Sequence, residues 1–370
     1  MGNPLDGSTA ELGRVDAAVG PAAEFLRLAD SALAADDHDR AYDASVQAIC
    51  AYLTGDLSDR RAILTALAEV PAVSSRRTQL FRRLESVAAG TRVLIAMRRD
   101  ALAYRLEEPS MDAVERDLRQ QLSTSFAPAN LVFRAIDGSS PATVLEHVVN
   151  HDAVHPISGW DELRRRLGPT DRRCFGLFHQ ALPDRPVAFT EVALTSEMPT
   201  SIDGILDPDR TPVSTERATS AVFYSISSSE PGLRGIRFGE ALLERSIAAL
   251  HRDLTHLRAF VTLSPMPGFR QWLADAVASG SATDDLARLH RGLERGLPPA
   301  DGDDRLRRAA EAYLLSTTRE DGRSTDPVAR FHLGNGARLE RIQLGADLSA
   351  RGRAQSFGAM ACYRYEGPSA

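Results

Sequence analysis

The sequence predicts an α+β fold, with an N-terminal all-α helical bundle followed by a mixed, mainly antiparallel sheet with flanking helices. Apolar residues recur every three or four positions through the first third of the chain, which indicates amphipathic helices. Beyond residue 128, short strand-like runs alternate with helical patterns, and two of these runs are expected to form a hairpin. We therefore expect a helical domain over 1–127 and a second domain over 128–370. Within the first domain, we expect about 15 leading residues to be disordered.

Helical patterns fill the N-terminal part of the chain. The stretch 21–36 places Phe25 and Ala29 on one face, as a helix packed in a bundle requires. Further helical patterns cover 39–53, 58–69, 76–107 and 111–122. Gly90 is a poor helix former and is expected to break the long pattern, and Ser110 is expected to cap the helix that follows. These stripes are typical of a helix-bundle core and carry no catalytic signal.

Strand-like runs mark the second part of the chain. They are rich in β-branched and aromatic residues and cover 131–137, 174–182, 187–194, 220–227, 258–264, 337–344 and 356–365. The linker 183–186 (Pro-Asp-Arg-Pro) favours a turn, so the second and third runs are expected to form a β-hairpin. Helical patterns follow at 239–254 and through 269–318, where the loop 298–302 interrupts them.

The composition excludes several function classes. The 44 basic and 50 acidic residues give a net charge of −6, so we expect no nucleic-acid or membrane partner. All the basic residues are arginine, which excludes Schiff-base or Walker-type lysine chemistry and suggests a bacterial source. Cys50, Cys174 and Cys362 lie far apart and form neither a disulfide framework nor a cysteine zinc motif. Because we find no secretory signal and no membrane-spanning run, we expect a cytoplasmic protein.

A glycine-bearing loop joins the strand at 220–227 to the helix that begins at 239. Gly232, Gly235 and Gly239 would let backbone N–H groups approach a phosphate at the start of this helix. Arg234 and Arg237 favour an anionic ligand. The spacing is neither GxGxxG nor a Walker motif, so a structural glycine turn is the competing interpretation.

Two further motifs offer side chains suited to proton transfer. In Ser-Pro-Met-Pro-Gly-Phe (264–269), two prolines fix a turn that holds the Ser264 hydroxyl in a set direction. His332 stands before the turn Gly334-Asn335-Gly336, and an unperturbed imidazole pKa of about 6.5 suits proton transfer near neutrality. The competing interpretations are a strand-end cap and a structural histidine. The GxSxG elbow of an α/β-hydrolase is absent.

His147, His151 and His155 are spaced by four residues, which could place three imidazoles on one helix face for a metal ion. Pro156 disfavours helical geometry at His155, and no acidic or cysteine residue completes the set. We therefore favour a solvated or interdomain helix face and expect no metal site.

Taken together, the motifs resemble the malonyl-CoA decarboxylase family. The resemblance occurs in the family's order, covers most of residues 92–370, and rests on several unrelated short strings at once. The matching segments are 153–179, 187–195, 221–244, 260–273, 326–342, 346–352 and 361–365. The first ~90 residues match only in being helical.

The resemblance implies a helical N-terminal domain and a catalytic domain of the GNAT superfamily fold. It also implies that malonyl-CoA is converted to acetyl-CoA and CO₂ in the context of fatty acid metabolism. The family's catalytic serine and histidine fall on Ser264 and His332. Asn335, Arg341 and Tyr365 are further candidates for the pocket. The family's coenzyme A loop falls on Arg234, Gly235, Ile236, Arg237, Phe238, Gly239 and Glu240.

The implied chemistry needs no added cofactor, since the thioester carbonyl accepts the electrons when CO₂ leaves. We expect His332 to protonate the resulting enolate at C2, with Ser264 as its hydroxyl partner and backbone N–H groups of a splayed strand holding the oxyanion. We expect a homo-oligomer that takes malonyl-CoA or a related acyl-CoA.

Three further functions stay open from the sequence. They are a methylmalonyl-CoA decarboxylase, a decarboxylase that also loads an acyl carrier protein, and a non-catalytic acyl-CoA-binding protein. One departure bears on the substrate, because Gln343-Leu344 stands where the family usually has Asn-Trp. If the strand continues to this point, one of the two side chains faces the cleft and leaves room for an extra methyl group.

Overall fold

The computed structural model describes residues 20–70, 75–296, 303–316 and 324–367. The chain divides into two compact units. The first comprises Met1–Val132, His179–Pro183 and Glu230–Arg237, and the second comprises Phe133–Phe178, Asp184–Ser229 and Phe238–Ala370. The expected disorder of the leading residues and the expected loop at 298–302 lie outside the described residues. The domain boundary at residue 127 stays a prediction.

The first unit is built from helices. Their bounds are Pro21–Ala34 (α1), His38–Thr54 (α2), Leu57–Glu69 (α3), Arg76–Glu85 (α4), Gly90–Tyr104 (α5) and Met111–Ser125 (α6). Each buries an apolar face, as Phe25 of α1 and Leu64 of α3 illustrate with fully buried side chains. These helices confirm the bundle that the apolar spacing predicts.

Two local expectations in this unit have different outcomes. The break at Gly90 is confirmed, because α4 ends at Glu85 and a Cβ at Gly90 would lie 1.9 Å from the Leu84 carbonyl oxygen. The expectation that Ser110 caps α6 is wrong. Ser110 has helical dihedral angles, and its side chain makes no capping hydrogen bond.

A mixed sheet forms most of the second unit, and only Leu131, Val132 and His179 of its strands are assigned to the first unit. The strands are Leu131–Ala135 (β1), Arg172–His179 (β2), Ala188–Thr195 (β3), Ser220–Ser228 (β4), Ala259–Thr262 (β5), Ser264–Pro265 (β6), Arg338–Gln343 (β7) and Met360–Tyr365 (β8). Their order is β1-β2-β3-β4-β5-β8-β6, and β7 pairs with β8. The pair β4–β5 is parallel, whereas β2–β3, β3–β4, β5–β8, β6–β8 and β7–β8 are antiparallel. The predicted hairpin is thus confirmed as β2–β3.

Helices flank this sheet. Their bounds are Ala142–His151 (α7), Trp160–Leu167 (α8), Asp203–Leu206 (α9), Gly239–Asp253 (α10), Phe269–Ala278 (α11), Asp284–Glu294 (α12), Asp304–Leu315 (α13), Pro327–Gly334 (α14) and Ala350–Ser356 (α15). Across the part of the chain that the structure describes, none of the helices combines the length and apolar character needed to span a bilayer. The α+β fold predicted from the sequence is confirmed.

A bulge and an early end of pairing open the centre of the sheet. Glu191 of β3 faces Ser225, and Val192 faces Phe223, so Tyr224 is the extra residue of a bulge in β4. The parallel pairing of β4 with β5 ends at Phe223 opposite Thr262. On its other side the chain keeps its pairing with β8, which begins at Phe260 and Val261 in β5 and continues at Ser264 in β6. Strands β4 and β5 therefore separate in the middle of the sheet.

The last predicted strand, at 356–365, is partly wrong. Helix α15 extends to Ser356, Phe357 adopts the left-handed conformation at φ 55°, and β8 begins only at Met360. Helix α14 is not predicted as a helix either. Both helices have at most eight residues, and so short a segment gives apolar periodicity too few turns to be recognised.

Candidate active site

Ser264 and His332 meet in a cavity of the second unit. Ser264 Oγ lies 2.9 Å from His332 Nε2, and both side chains are buried. His332 Nδ1 lies 2.9 Å from the Tyr365 hydroxyl, and Ser264 Oγ lies 3.0 Å from Thr262 Oγ1. The four side chains form one hydrogen-bonded row. The structure thus brings together three residues that the sequence selects, Ser264, His332 and Tyr365, and adds Thr262 as a neighbour.

The row is positioned by local sequence on both sides. Asp326 accepts hydrogen bonds from the backbone N–H groups of Val328 (2.9 Å) and Ala329 (2.7 Å), and Pro327 supplies the preorganised first helical residue of α14. The Tyr313 hydroxyl donates to the other oxygen of Asp326 at 2.6 Å. This cap fixes the start of the helix that carries His332.

The hydrogen-bond donors of the row determine the tautomer of His332. Ser264 donates its hydroxyl proton to Thr262 Oγ1, so it accepts from His332 Nε2–H. A neutral imidazole with a proton on Nε2 has a free lone pair on Nδ1, which accepts from the Tyr365 hydroxyl. Thr262 Oγ1 also accepts from the Tyr363 backbone N–H at 3.2 Å. The protons thus point in one direction, from Tyr365 to Thr262.

Burial keeps the imidazole neutral. His332 is 3% exposed, and desolvation lowers its pKa to about 3. Its ring stacks on Tyr363, with 4.6 Å between the ring centroids. Burial also raises the pKa of Tyr365 well above its usual value, so this tyrosine is protonated in the resting row. At neutral pH the row therefore holds its protons but carries no charge.

The cavity beside Ser264 and His332 has a volume of about 190 Å³ and a mainly apolar wall. It lies where β4 and β5 separate, and the bulge residue Tyr224 forms part of it. The Tyr224 hydroxyl is buried and has no hydrogen-bond partner among the described residues. The other wall residues are Val154, Phe223, Ile226, Leu263, Pro265, Pro327, Val328 and Phe331.

Buried charges hold the bulged strand in place. Asp152 accepts from the Ser225 hydroxyl (2.8 Å) and from the backbone N–H of Val154 (2.9 Å). Arg166 donates to Asp152 at 3.2 Å and to Glu191 at 3.0 Å. Desolvation raises the pKa of the Glu191 carboxyl. The network fixes Ser225, next to the bulge, and Val154 of the cavity wall.

The predicted coenzyme A loop is divided between the two units, with Arg234–Arg237 in the first and Phe238–Glu240 in the second. Gly235 has φ +80°, which favours glycine, and open space where a Cβ would lie. Phe238 precedes α10 without a side-chain cap, so the first N–H groups of that helix are available to an anion.

Close packing against Phe331 leaves no room for a side chain at Gly239. A Cβ there would lie 2.2 Å from Cε2 of Phe331, one residue before His332 in α14. The start of α10 therefore packs directly against the helix that carries the histidine. From the sequence, phosphate approach is the one role expected of this glycine, and the structure adds the close contact with the Phe331 ring.

Family comparisons match both parts of the chain. The family model described as Malonyl-CoA decarboxylase C-terminal domain matches residues 129–369, and the one described as Malonyl-CoA decarboxylase N-terminal domain matches residues 43–126. This chain belongs to the malonyl-CoA decarboxylase family. The resemblance seen in the motifs over 92–370 is therefore confirmed. The expectation that the first ~90 residues match only in being helical is wrong from residue 43 onward, where the N-terminal family model begins to match.

Curated relatives and solved structures of malonyl-CoA decarboxylases agree with this assignment. The mitochondrial protein of Anser anser anser is 34% identical over 328 residues, covering 79% of this chain and 64% of the relative. That of Rattus norvegicus is 32% identical, covering 80% and 66%. This chain thus spans less than two thirds of the length of these relatives.

The crystal structure from Rhodopseudomonas palustris is 35% identical with a TM-score of 0.85, covering 94% of this chain and 93% of that one. The crystal structure from Cupriavidus metallidurans is 33% identical with a TM-score of 0.77, covering 93% and 92%.

Several residues predicted for the pocket lie elsewhere in this family member. Arg341 donates to the Pro199 carbonyl at 2.8 Å, and so does the Gln343 amide at 3.3 Å. Asn335 follows the end of α14 and lies against Gly239. None of these side chains, and not Leu344, is part of the described cavity wall. The expectation that Gln343 or Leu344 enlarges the acyl pocket stays a prediction.

The three spaced histidines do not share a helix face. Helix α7 ends at His151, so His155 lies beyond it. His147 and His151 stack with 3.9 Å between ring centroids, and burial lowers the pKa of His147 to about 4. Within residues 20–70, 75–296, 303–316 and 324–367, no group of three His, Cys, Asp or Glu side chains is placed to hold a metal ion.

Sequence reasoning misses four residues of the site. Thr262 and Asp326 have local signals in the sequence. Thr262 lies two residues before Ser264 along an extended segment, and Asp326 followed by Pro327 is a typical helix start. The bulge at Tyr224 and the stacking of Tyr363 have no local signal, because both depend on a partner strand or a partner ring.

Proposed function

We propose that this chain converts malonyl-CoA to acetyl-CoA and CO₂. The observation that carries the proposal is the 2.9 Å contact between Ser264 and His332 in a cavity at the separation of β4 and β5. A hydroxyl and an imidazole in a mainly apolar cavity suit proton delivery to a carbanion. The assignment to the decarboxylase family supports this reaction class over acyl transfer and over simple ligand binding.

The substrate is held by its two ends in this proposal. The uncapped start of α10 takes the pyrophosphate of coenzyme A, where helix N–H groups and the helix dipole favour negative charge. The acyl group enters the cavity. Backbone N–H groups at the Tyr224 bulge donate to the thioester oxygen, and such donors typically contribute about 3–4 kcal/mol to catalysis.

The chemical step uses the thioester as the electron acceptor. The C–C bond to the carboxylate breaks, CO₂ leaves, and the electron pair forms an enolate whose charge lies on the thioester oxygen. The apolar wall favours this step, because a carboxylate loses its hydration there while the product CO₂ is neutral. No added cofactor is required in this scheme.

Protonation of C2 follows the row of hydrogen bonds. Ser264 gives its hydroxyl proton to C2 and takes the Nε2 proton of His332, which takes the Tyr365 proton on Nδ1. After the product leaves, a solvent proton adds to Nε2 and the Nδ1 proton returns to Tyr365. This restores the starting tautomer, and one proton is consumed in each turnover. This scheme revises the sequence expectation that His332 is the direct donor, since burial holds the imidazole neutral.

The decisive experiment follows both products. Purified protein is incubated with malonyl-CoA or methylmalonyl-CoA, with and without an acyl carrier protein, while released CO₂ and the product thioester are measured. We expect CO₂ and acetyl-CoA in equal amounts, and one deuterium at C2 in D₂O. Acetyl groups on the carrier would assign an additional transferase activity, and CO₂ from methylmalonyl-CoA alone would change the substrate. Ligand binding without CO₂ release would contradict the proposal.

The finer expectations belong to the same proposal. We propose a homo-oligomer, a cytoplasmic location, a bacterial source and a place in fatty acid metabolism, each from the sequence arguments above. Sedimentation of the purified protein over a range of concentrations tests the first of these.

A further inference from the structure

Arginines line an open cavity in the first unit, apart from the residues of the Ser264–His332 row. Its volume of about 410 Å³ lies within the usual range for small-molecule sites, about 300–1,000 Å³. Five guanidinium groups and two carboxylates line it, which leaves a net charge of +3. Arg234 and Gly235 belong to the predicted coenzyme A loop, whereas the proposed decarboxylation chemistry uses none of the arginines on α5 and α6.

Two helix stripes and one loop build the cavity. Positions 98 and 102 of α5 and position 105, the residue that follows this helix, are spaced by four and three. Positions 112, 115, 116 and 119 of α6 follow the same periodicity. Such spacing places each set on one helix face. Arg234 and Gly235 complete the wall. The cavity is therefore a product of regular helices and not of a single loop conformation.

A buried ion pair forms the floor. Arg98 is 1% exposed and donates to Glu115 Oε1 from Nε (3.1 Å) and Nη2 (2.8 Å). The same guanidinium donates to the carbonyls of Gly232 and Arg234, each at 2.7 Å. Gly232 also approaches α5 so closely that a Cβ would lie 2.1 Å from the Ile95 carbonyl oxygen. The segment 232–234 is thus fixed against α5 by contacts within this unit.

Three of the arginines have no internal partner. No hydrogen bond or ion pair engages the guanidinium groups of Arg116, Arg119 and Arg234 within the described residues. Arg105, by contrast, pairs with Asp112 at 3.3 Å. The charge of Arg119 lowers the pKa of Arg98, as like charges do at close range, although burial is the larger cause. Three free guanidinium groups that converge on one cavity are matched by a ligand of high negative charge.

We propose that this cavity binds a phosphate monoester. Its dianion offers several acceptor oxygens, and the planar guanidinium donates to such groups in pairs. A single carboxylate offers only two acceptor oxygens to the three guanidinium groups, whereas the terminal group of a phosphate monoester offers three. Gly235, at φ +80° and without a Cβ, leaves the loop side open to the ligand.

The phosphate can come from two sources. One is the ribose 3′-phosphate of coenzyme A, and this source rests on the proposed function. The other is a separate phosphorylated metabolite, which binds whatever the reaction is. Both present the same chemical group to the arginines, so the experiment must distinguish them.

The test is calorimetric titration of the full chain with coenzyme A, dephospho-coenzyme A, adenosine 3′,5′-bisphosphate and inorganic phosphate. The test variant is Arg116→Gln/Arg119→Gln. The matched control is Arg40→Gln/Arg82→Gln, which removes the same charge from exposed sites of the same unit. We expect adenosine 3′,5′-bisphosphate to bind about tenfold or more weakly to the test variant, and within about twofold of wild type to the control.

Comparing the affinities for coenzyme A and dephospho-coenzyme A identifies the source of the phosphate. If wild type prefers coenzyme A over dephospho-coenzyme A and the test variant loses this preference, the substrate supplies the phosphate. If wild type binds both alike while the bisphosphate or inorganic phosphate stays sensitive to the variant, a separate metabolite supplies it. Equal affinity of wild type and test variant for every phosphate-bearing probe would overturn the proposal.

Turnover separates this proposal from the proposed function. With malonyl-CoA at saturation, we expect the test variant to keep the kcat of wild type, because neither arginine belongs to the Ser264–His332 row. Absence of CO₂ release by wild type would overturn the proposed function while leaving the titration result intact. Circular dichroism of both variants establishes that they fold.

Discussion

Ser264 and His332 are 68 positions apart in the chain, and their Oγ and Nε2 atoms lie 2.9 Å from each other. Different elements position the two residues. Ser264 continues the pairing with β8 beyond the point where β4 and β5 separate, and His332 lies on a helix capped by Asp326. Tyr365 completes the row from the far side of the imidazole.

Replacing either member of this pair should slow the chemical step and spare substrate binding. We expect Ser264→Ala and His332→Ala each to reduce kcat by about 10²–10⁴, the usual contribution of a placed proton-transfer group. The dissociation constant of coenzyme A should stay near that of wild type. Single-turnover rates and titrations measure the two quantities separately. Near-normal turnover in either variant would remove the pair from the proposed mechanism.

The Tyr365 hydroxyl should matter more than the Tyr363 hydroxyl, although both rings lie beside His332. Tyr365 donates to Nδ1, whereas the Tyr363 hydroxyl has no partner within the described residues and the ring contributes stacking. We expect Tyr365→Phe to reduce kcat by about 10²-fold, because the relay loses its proton source. Tyr363→Phe keeps the ring and serves as the matched control, with kcat within about threefold of wild type. Equal effects of the two changes would contradict the relay.

His332 should remain neutral through the physiological range. Its buried imidazole has a pKa of about 3, so we expect no acid limb near pH 6.5 in kcat/KM from this residue. In ¹⁵N NMR of histidine-labelled protein, its Nε2 should stay protonated and its Nδ1 unprotonated down to about pH 5. A spectrum of the His332→Asn variant assigns the signals. An imidazolium signal from His332 at pH 6 would contradict the neutral row.

The same shift gives stability a pH dependence with a definite sign. The folded pKa lies below the unfolded value of about 6.5, so between about pH 6.5 and 3 the unfolded chain binds a proton that the folded chain excludes. The contribution of the buried neutral imidazole to the free energy of unfolding should therefore be fully present above about pH 6.5. It should be lost progressively as the pH falls from there towards 3. Burial of His147, with a pKa of about 4, acts in the same direction. Denaturant titrations at pH 7.5 and 5 should show a smaller difference in His332→Asn than in wild type.

Gly239 should be intolerant of a side chain because of Phe331. A Cβ at this position would lie 2.2 Å from the ring, so we expect Gly239→Ala to reduce the free energy of unfolding by about 1–3 kcal/mol. Gly334 in α14 is the control, since a Cβ there would meet nothing within 4 Å and alanine favours a helix. Gly334→Ala should be neutral or slightly stabilising. Thermal or denaturant unfolding compares the two, and equal stability would show that the α10–α14 contact is looser than described.

Removal of metal ions should leave the activity intact. The thioester carbonyl itself accepts the electrons in the proposed step, so no metal is needed to form the enolate. We expect full decarboxylation after exhaustive treatment with a chelator and gel filtration. Loss of activity that Zn²⁺ or Mg²⁺ restores would contradict this scheme and return attention to His147 and His151.

The sequence by itself determined the elements whose signals are local. The apolar spacing of α1, the break at Gly90 and the proline-rich turn before β3 each follow from propensities within a few residues. Ser264 and His332 stand out for the same reason, because each belongs to a short proline- or glycine-bearing motif. Such signals identify candidates, and the family resemblance gives them roles.

Only the tertiary structure decided which candidates meet. The bulge at Tyr224 exists because β4 has one residue more than β3 over the paired stretch, a property of two strands and not of either sequence. Arg341 and Gln343 of β7 donate to the Pro199 carbonyl, which lies more than 140 positions earlier in the chain. The neutrality of His332 likewise depends on burial by residues from several elements. Registers, strand partners and desolvation are set by contacts between distant segments, and a local pattern carries no information about them.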